Sequence, residues 1–177
     1  MPLFPKKNTT KYDSTGTKCT GAAEPGAIKL RELILQNWNG TKDMGIYNCR
    51  NVRGGNTLSL HAEGRAIDIG ASFSTMQQLA QWCVDYSGWY GIQEVIFNKK
   101  IWSSNKAYDG WRTYSGTNPH TDHVHIGLTT EAAKDTNYMP GEIYGKNLRT
   151  ALYGSAILFT GTAVLTLLTK KGYIKHV

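Results

Sequence analysis

A chain of 177 residues is long enough for one soluble domain with a proper core and leaves little for a second, so one domain plus an appendage is expected. Twenty Lys and Arg against 13 Asp and Glu, with a pI near 9.3, favour an anionic partner: nucleic acid, anionic lipid or an acidic wall polymer. The basic residues, among them Lys6, Lys7, Lys29, Arg31, Arg50, Arg53, Lys99 and Lys100, are scattered and no motif organises them, so they read as a solvated surface and no nucleic-acid partner is expected.

Residues 1–24 are polar and without period, and are expected to form a flexible arm. Their first stretch, MPLFPKKNTTKYDS, lacks an apolar core, so no cleavable secretory signal is expected. The three cysteines make neither a C-x-x-C zinc pattern nor an even-numbered disulfide framework. Cys19 and Cys49 could pair in an oxidising compartment, leaving Cys83 in an apolar helical stretch.

A domain is expected over residues 25–145. Pro25 and Gly26 open AIKLRELILQNW, in which Leu30, Leu33, Ile34 and Trp38 share one helical face, and Asn39-Gly40 ends it. GIYNCRNV, residues 45–52, reads as a short strand closed by Gly54-Gly55. The spacing of Met76, Leu79, Ala80 and Cys83 predicts a helix over 74–86 with Ser74 as its cap. Strand patterns follow at 93–98, 100–102 and 124–128. Helices among hairpin-like strands, without regular βαβ alternation, predict an α+β domain: a small antiparallel sheet with flanking helices.

Residues 146–177 differ in kind. From 151 to 169 the chain reads ALYGSAILFTGTAVLTLLT, uncharged and bracketed by Arg149 and Lys170-Lys171. As a helix this stretch would span roughly 28 Å, close to the hydrocarbon thickness of a bilayer, and Gly154 and Gly161 would allow close packing of a neighbour. A membrane-anchoring helix is expected there, with a buried core helix as the alternative.

The chemistry concentrates in two short stretches. In SLHAEGRAIDIG, residues 59–70, His61 and Asp68 are credible ligands for a borderline metal through nitrogen and oxygen. In PHTDHVHIGL, residues 119–128, Asp122, His123 and His125 crowd the start of a strand pattern, where alternation points His123 and His125 the same way and Val124 toward the core. Four of the five histidines, His61, His120, His123 and His125, lie in these two stretches. Glu63 in H-x-E resembles a zinc deaminase pattern, but the matching P-C-x-x-C is absent, as is the H-E-x-x-H of other metalloproteases.

Ser59-x-His61-x-x-Gly64-Arg65-Ala66-x-Asp68, followed by Asp122-x-x-His125, resembles the zinc peptidases of the D-alanyl-D-alanine carboxypeptidase, VanY and L-alanyl-D-glutamate endopeptidase superfamily. WYGIQEVIFNKKIW and GWRTYSGTNPHTDHVHIGL look like its actinobacterial and phage cell-wall lysin branch. The resemblance covers roughly residues 25–130, and it implies a D,D-peptidase-like zinc fold. It assigns His61, Asp68 and His125 as ligands of Zn2+, leaving a fourth position for water, and Asp122 as the catalytic carboxylate. Arg50, with Arg53 as rival, matches an arginine placed for the oxyanion or the substrate carboxylate. Ser59 and Arg65 are expected to hold the His61 loop, Gly64 to supply a backbone conformation forbidden to side chains, and His123 to support the site or touch substrate.

The implied activity is hydrolysis of amide bonds in the stem peptides or crosslinks of bacterial peptidoglycan, an acidic polymer suited to a basic protein. Because peptidoglycan lies outside the cytoplasmic membrane, an anchored enzyme must cross with its domain outward or belong to a membrane-carrying virus particle, as an entry or lysis enzyme. The alternative is an inactive zinc-containing wall-binding module or a viral structural membrane protein, against which the presence of Asp122 argues.

Overall fold

The computed structural model describes residues 4–138. They form an α+β domain around one six-stranded antiparallel sheet. In chain order the strands are β1 (Lys42–Gly45), β2 (Ala66–Gly70), β3 (Ile92–Phe97), β4 (Lys100–Ser103), β5 (Arg112–Thr113) and β6 (Val124–Leu128). Their order across the sheet is β1-β2-β6-β3-β4-β5, so the last strand in sequence is inserted between β2 and β3. The helices are α1 (Pro25–Asn37), α2 (Phe73–Asp85), α3 (Ser87–Tyr90) and α4 (Thr130–Lys134).

Alternation along the three central strands gives the sheet two different faces. Ile67 and Ile69 of β2, Val124, Ile126 and Leu128 of β6, and Val95 and Phe97 of β3 point into the core. There they meet Leu30, Leu33 and Ile34 of α1 and Met76, Leu79, Trp82 and Cys83 of α2. The residues between them, Asp68, His125, Gly127, Glu94 and Ile96, fall on the opposite face. Register aligns them: Asp68 stands opposite His125, His125 opposite Ile96, and Gly127 opposite Glu94.

Several expected elements are displaced. The strand expected over 45–52 is occupied instead at Lys42–Gly45, and the following residues leave the sheet to pair irregularly with the His61 loop. Asn48 N–H donates to the His61 carbonyl (3.1 Å) and Ser59 N–H to that of Arg50 (3.1 Å). The second helix starts earlier than expected, because Ser72 rather than Ser74 accepts the capping hydrogen bond from Thr75 N–H. β3 and β4 meet at a two-residue turn, Asn98-Lys99, with both residues at positive φ, the geometry that matches strand twist in a tight hairpin.

Residues read from sequence as a flexible arm are tied down along the side of the domain. Asn8, 6 % exposed, donates two buried bonds, from its backbone N–H to Ser87 Oγ and from its side-chain amide to the Ile92 carbonyl. Asp13 is held by Gln93, by Arg65 and by the Thr130 amide. A Cys19–Cys49 disulfide and the Thr20–Ala62 and Glu24–Gly64 backbone bonds complete the attachment. No helix among the described residues is long and apolar enough to cross a membrane, and the stretch at 151–169 lies outside them.

Candidate metal centre

His61 sits in a 3-10 turn, Leu60–Glu63, that local chemistry defines at both ends. Ser59 caps it, its Oγ accepting from His61 N–H (3.3 Å), and Gly64 closes it at φ 64°. A Cβ on Gly64 would collide with the Ala22 carbonyl, so the close approach of the arm also requires glycine. Arg65, 2 % exposed, pins the turn to the sheet and arm, donating to Glu63, the Leu128 carbonyl and the Asp13 carbonyl. Glu63 is fully engaged by Arg65 Nε (2.7 Å) and Gly16 N–H (2.6 Å), and so is turned away from chemistry at His61.

Three donor groups converge from three elements. His61 Nε2 is 3.2 Å from Asp68 Oδ2 and 3.2 Å from His125 Nδ1. His125 Nδ1 is 3.0 Å from Asp68 Oδ1. The ligand atoms of His61, Asp68 and His125 all lie within 4.8 Å of one another, a grouping that could hold a metal ion. Tautomer chemistry supports this, because His61 Nδ1 faces the Ile46 carbonyl at 2.6 Å and must carry the proton there, which leaves the Nε2 lone pair directed at the cluster. Two imidazole nitrogens and one carboxylate fit a borderline metal with a coordination position left open.

Electrostatics also bind the group together. Burial opposes charge on Asp68, but the hydrogen bond and charge of His125 outweigh it and hold the carboxyl well below the usual range. Burial likewise opposes charge on His125, yet bonds to Asp68 and Glu94 raise it to about 9. Glu94, in turn, is lowered despite burial because His125 faces it.

The other residues singled out in the sequence occupy distinct positions. His123 turns toward the cluster, its Nε2 3.7 Å from Asp68 Oδ1 and buried without a hydrogen-bond partner. Asp122 is 71 % exposed at its side chain and reaches the centre only through His123, whose Nδ1 it meets at 2.7 Å. Arg50 lies on the wall of a cleft of about 380 Å³ that also exposes His61, His125, Glu94, Tyr114 and His120. Arg53 shares that wall.

Two contributors, Glu94 and Tyr12, are absent from the sequence-based expectations, and a third, His120, counted there among the clustered histidines, carries no role in them. Glu94 Oε1 stands 3.4 Å from His125 Nε2, and Tyr12 Oη donates to Glu94 Oε2 at 3.0 Å. His120 holds positive φ, 49°, and packs its ring between Tyr114 and His123; burial, then the nearby charge of His125 and His123, lowers it to about 4. Its Nδ1 is buried without a hydrogen-bond partner. A signal for Glu94 existed: in IQEVIF it is the one carboxylate on the face of β3 opposite the apolar residues Val95 and Phe97.

A family model described as "VldE, C-terminal domain" matches residues 19–125, more than half of the chain. The chain belongs to that family. The match opens at the disulfide's Cys19 and closes at His125, so the VldE C-terminal domain encompasses every residue of the ligand cluster. No curated protein and no solved structure matches the chain.

Proposed function

We propose that the domain is a zinc-dependent peptidoglycan peptidase of the D-alanyl-D-alanine carboxypeptidase, VanY and L-alanyl-D-glutamate endopeptidase type. The observation that carries this reading is the His61–Asp68–His125 cluster beside a cleft with cationic walls. His61, Asp68 and His125 would hold the ion. Zinc bound by three protein groups supplies Lewis acidity and lowers the pKa of water toward about 7.

The residues around the cluster divide the remaining work. His123, oriented by Asp122 through Nδ1, presents Nε2 as the group that takes a proton from the attacking water and passes it to the leaving amine. Asp122 thus acts behind the imidazole, holding its tautomer and orientation. His120, kept neutral by its surroundings, can donate to a developing oxyanion or to a substrate carbonyl. Arg50 and Arg53 draw the carboxylates of an acidic stem peptide into the cleft. A membrane-anchored place in a cell envelope or a virus particle follows from the apolar stretch at 151–169 and belongs to the same proposal.

One observation favours a second reading, a zinc-containing wall-binding or structural protein: the Asp122 carboxylate faces solvent. Purified peptidoglycan incubated with the protein, with and without a chelator, separates the two. Peptidase activity yields chelator-sensitive fragments whose new termini, read by mass spectrometry, name the bond. Intact peptidoglycan after treatment with folded, zinc-loaded protein would leave the binding reading in its place.

A further inference from the structure

Tyr12 comes from the polar arm, far in sequence from any ligand, yet its hydroxyl ends inside the cleft on Glu94. Glu94 projects from the site face of β3, one strand away from His125, and its second oxygen meets His125 Nε2. His125 has its other nitrogen directed at Asp68 and His61. A continuous chain therefore runs from the arm to the ligand cluster: Tyr12 to Glu94 to His125.

We infer that Glu94 and Tyr12 are positioning residues of the metal centre, so that docking of the arm and binding of the metal are coupled. The inference rests on the metal reading above and deepens it. Glu94 accepts the Nε2 proton of His125, which leaves Nδ1 as the ligand nitrogen and fixes the ring plane; a carboxylate behind a ligand histidine also raises its basicity. Tyr12 in turn keeps Glu94 from swinging toward the cleft, since a carboxylate with one oxygen on His125 and the other on a phenol has a single orientation. The arm carrying Tyr12 is held on both sides of it, by Asn8 on Ser87 and Ile92 and by Asp13 on Gln93. An ion that orders His125 then stabilises the docked arm, and by linkage the docked arm raises metal affinity by the same factor.

Metal affinity and arm protection are read independently of catalysis. Zinc affinity of the full chain is measured by competition with a chromophoric chelator, for wild type, Glu94→Gln and Tyr12→Phe. Loss of an outer partner of a ligand histidine weakens metal binding about 10- to 100-fold, which is expected for Glu94→Gln; a smaller loss of a few-fold is expected for Tyr12→Phe. Hydrogen exchange across residues 8–20 is expected to slow when zinc is added to wild type and to respond less in Tyr12→Phe. Tyr12→Phe keeps the ring and its packing, so it reports on the hydroxyl even where Glu94→Gln folds poorly. Wild-type zinc binding with unchanged affinity and unchanged arm protection in the variants would overturn the coupling. Failure of wild type itself to bind zinc would instead overturn the metal reading beneath it.

Discussion

His125 is held between two carboxylates, and its protonation decides how the metal-free centre behaves. Raised from 6.5 to about 9, it contributes stability that is fully present below pH 6.5 and is lost as pH rises through about 9. Asp68, lowered from 3.8, contributes stability present above that value and lost as pH falls further. In chelator the denaturation midpoint is therefore expected to fall between pH 6.5 and 9, and a profile that stays flat over that window removes the pair from the stability account. Metal binding must displace the His125 proton, so zinc uptake should release protons in the same window.

At the same scale, roles near the cluster separate by what each variant retains. His61→Ala removes one of three donors and is expected to lose the metal, read as zinc content after gel filtration. Asp122→Ala leaves all three donors and should keep zinc while slowing cleavage by about 10²-fold or more, because His123 loses its brace. His123→Ala should be at least as slow. Cleavage by Asp122→Ala at the wild-type rate would detach both residues from proton transfer.

At the scale of elements, β6 carries both the core and the centre, since one side of the strand is apolar and the other presents His125. Ile126 is fully buried between β2 and β3, and Ile126→Ala is expected to cost about 2–5 kcal/mol in chemical denaturation, with the cavity term setting the value. Its alternating pattern made this strand legible from sequence, as did the apolar faces of α1 and α2. β2 was hidden because its five residues lie inside the ligand motif, where Asp68 reads as chemistry and Ile67 and Ile69 as filler. The strand expected at 45–52 failed for a related reason: its residues look strand-like, but 48–52 fold back on 57–61, through Asn48–His61, Arg50–Ser59 and Val52–Thr57, in an irregular hairpin off the sheet. His61 and Asp68 were legible as candidate ligands from residue type, while the choice of His125 over His123 came from the resemblance to the zinc peptidases; the fold brings the three together. Glu94 and Tyr12 act on a ligand from behind, a role that only the sheet register and the path of the arm bring into contact with the centre.

For the whole molecule, the arm turns from an appendage into part of the fold, and the disulfide is the bond that commits it. Cys19 and Cys49 are 30 residues apart in sequence and join the arm to the segment between β1 and the His61 turn, the segment that supplies the Ile46 carbonyl to His61 and Arg50 to the cleft. Closing a loop of that length removes chain entropy from the unfolded state worth about 3–4 kcal/mol in the simplest account. Replacing both cysteines with serine is expected to lower unfolding free energy by about 2–4 kcal/mol, measured by denaturant titration, and reductant should lower wild type to the same level without affecting the variant. Buried Cys83 gives a control, because its thiol is raised by burial and takes no part in the bridge. Because the bridge lies between the arm and the His61 segment, its loss should also loosen Tyr12 and the Ile46 contact, so zinc affinity ought to fall together with stability. A reduced protein with lower stability and unchanged zinc affinity would show that the bridge stabilises the chain without shaping the centre, and would locate the ordering of Tyr12 entirely in its local hydrogen bonds.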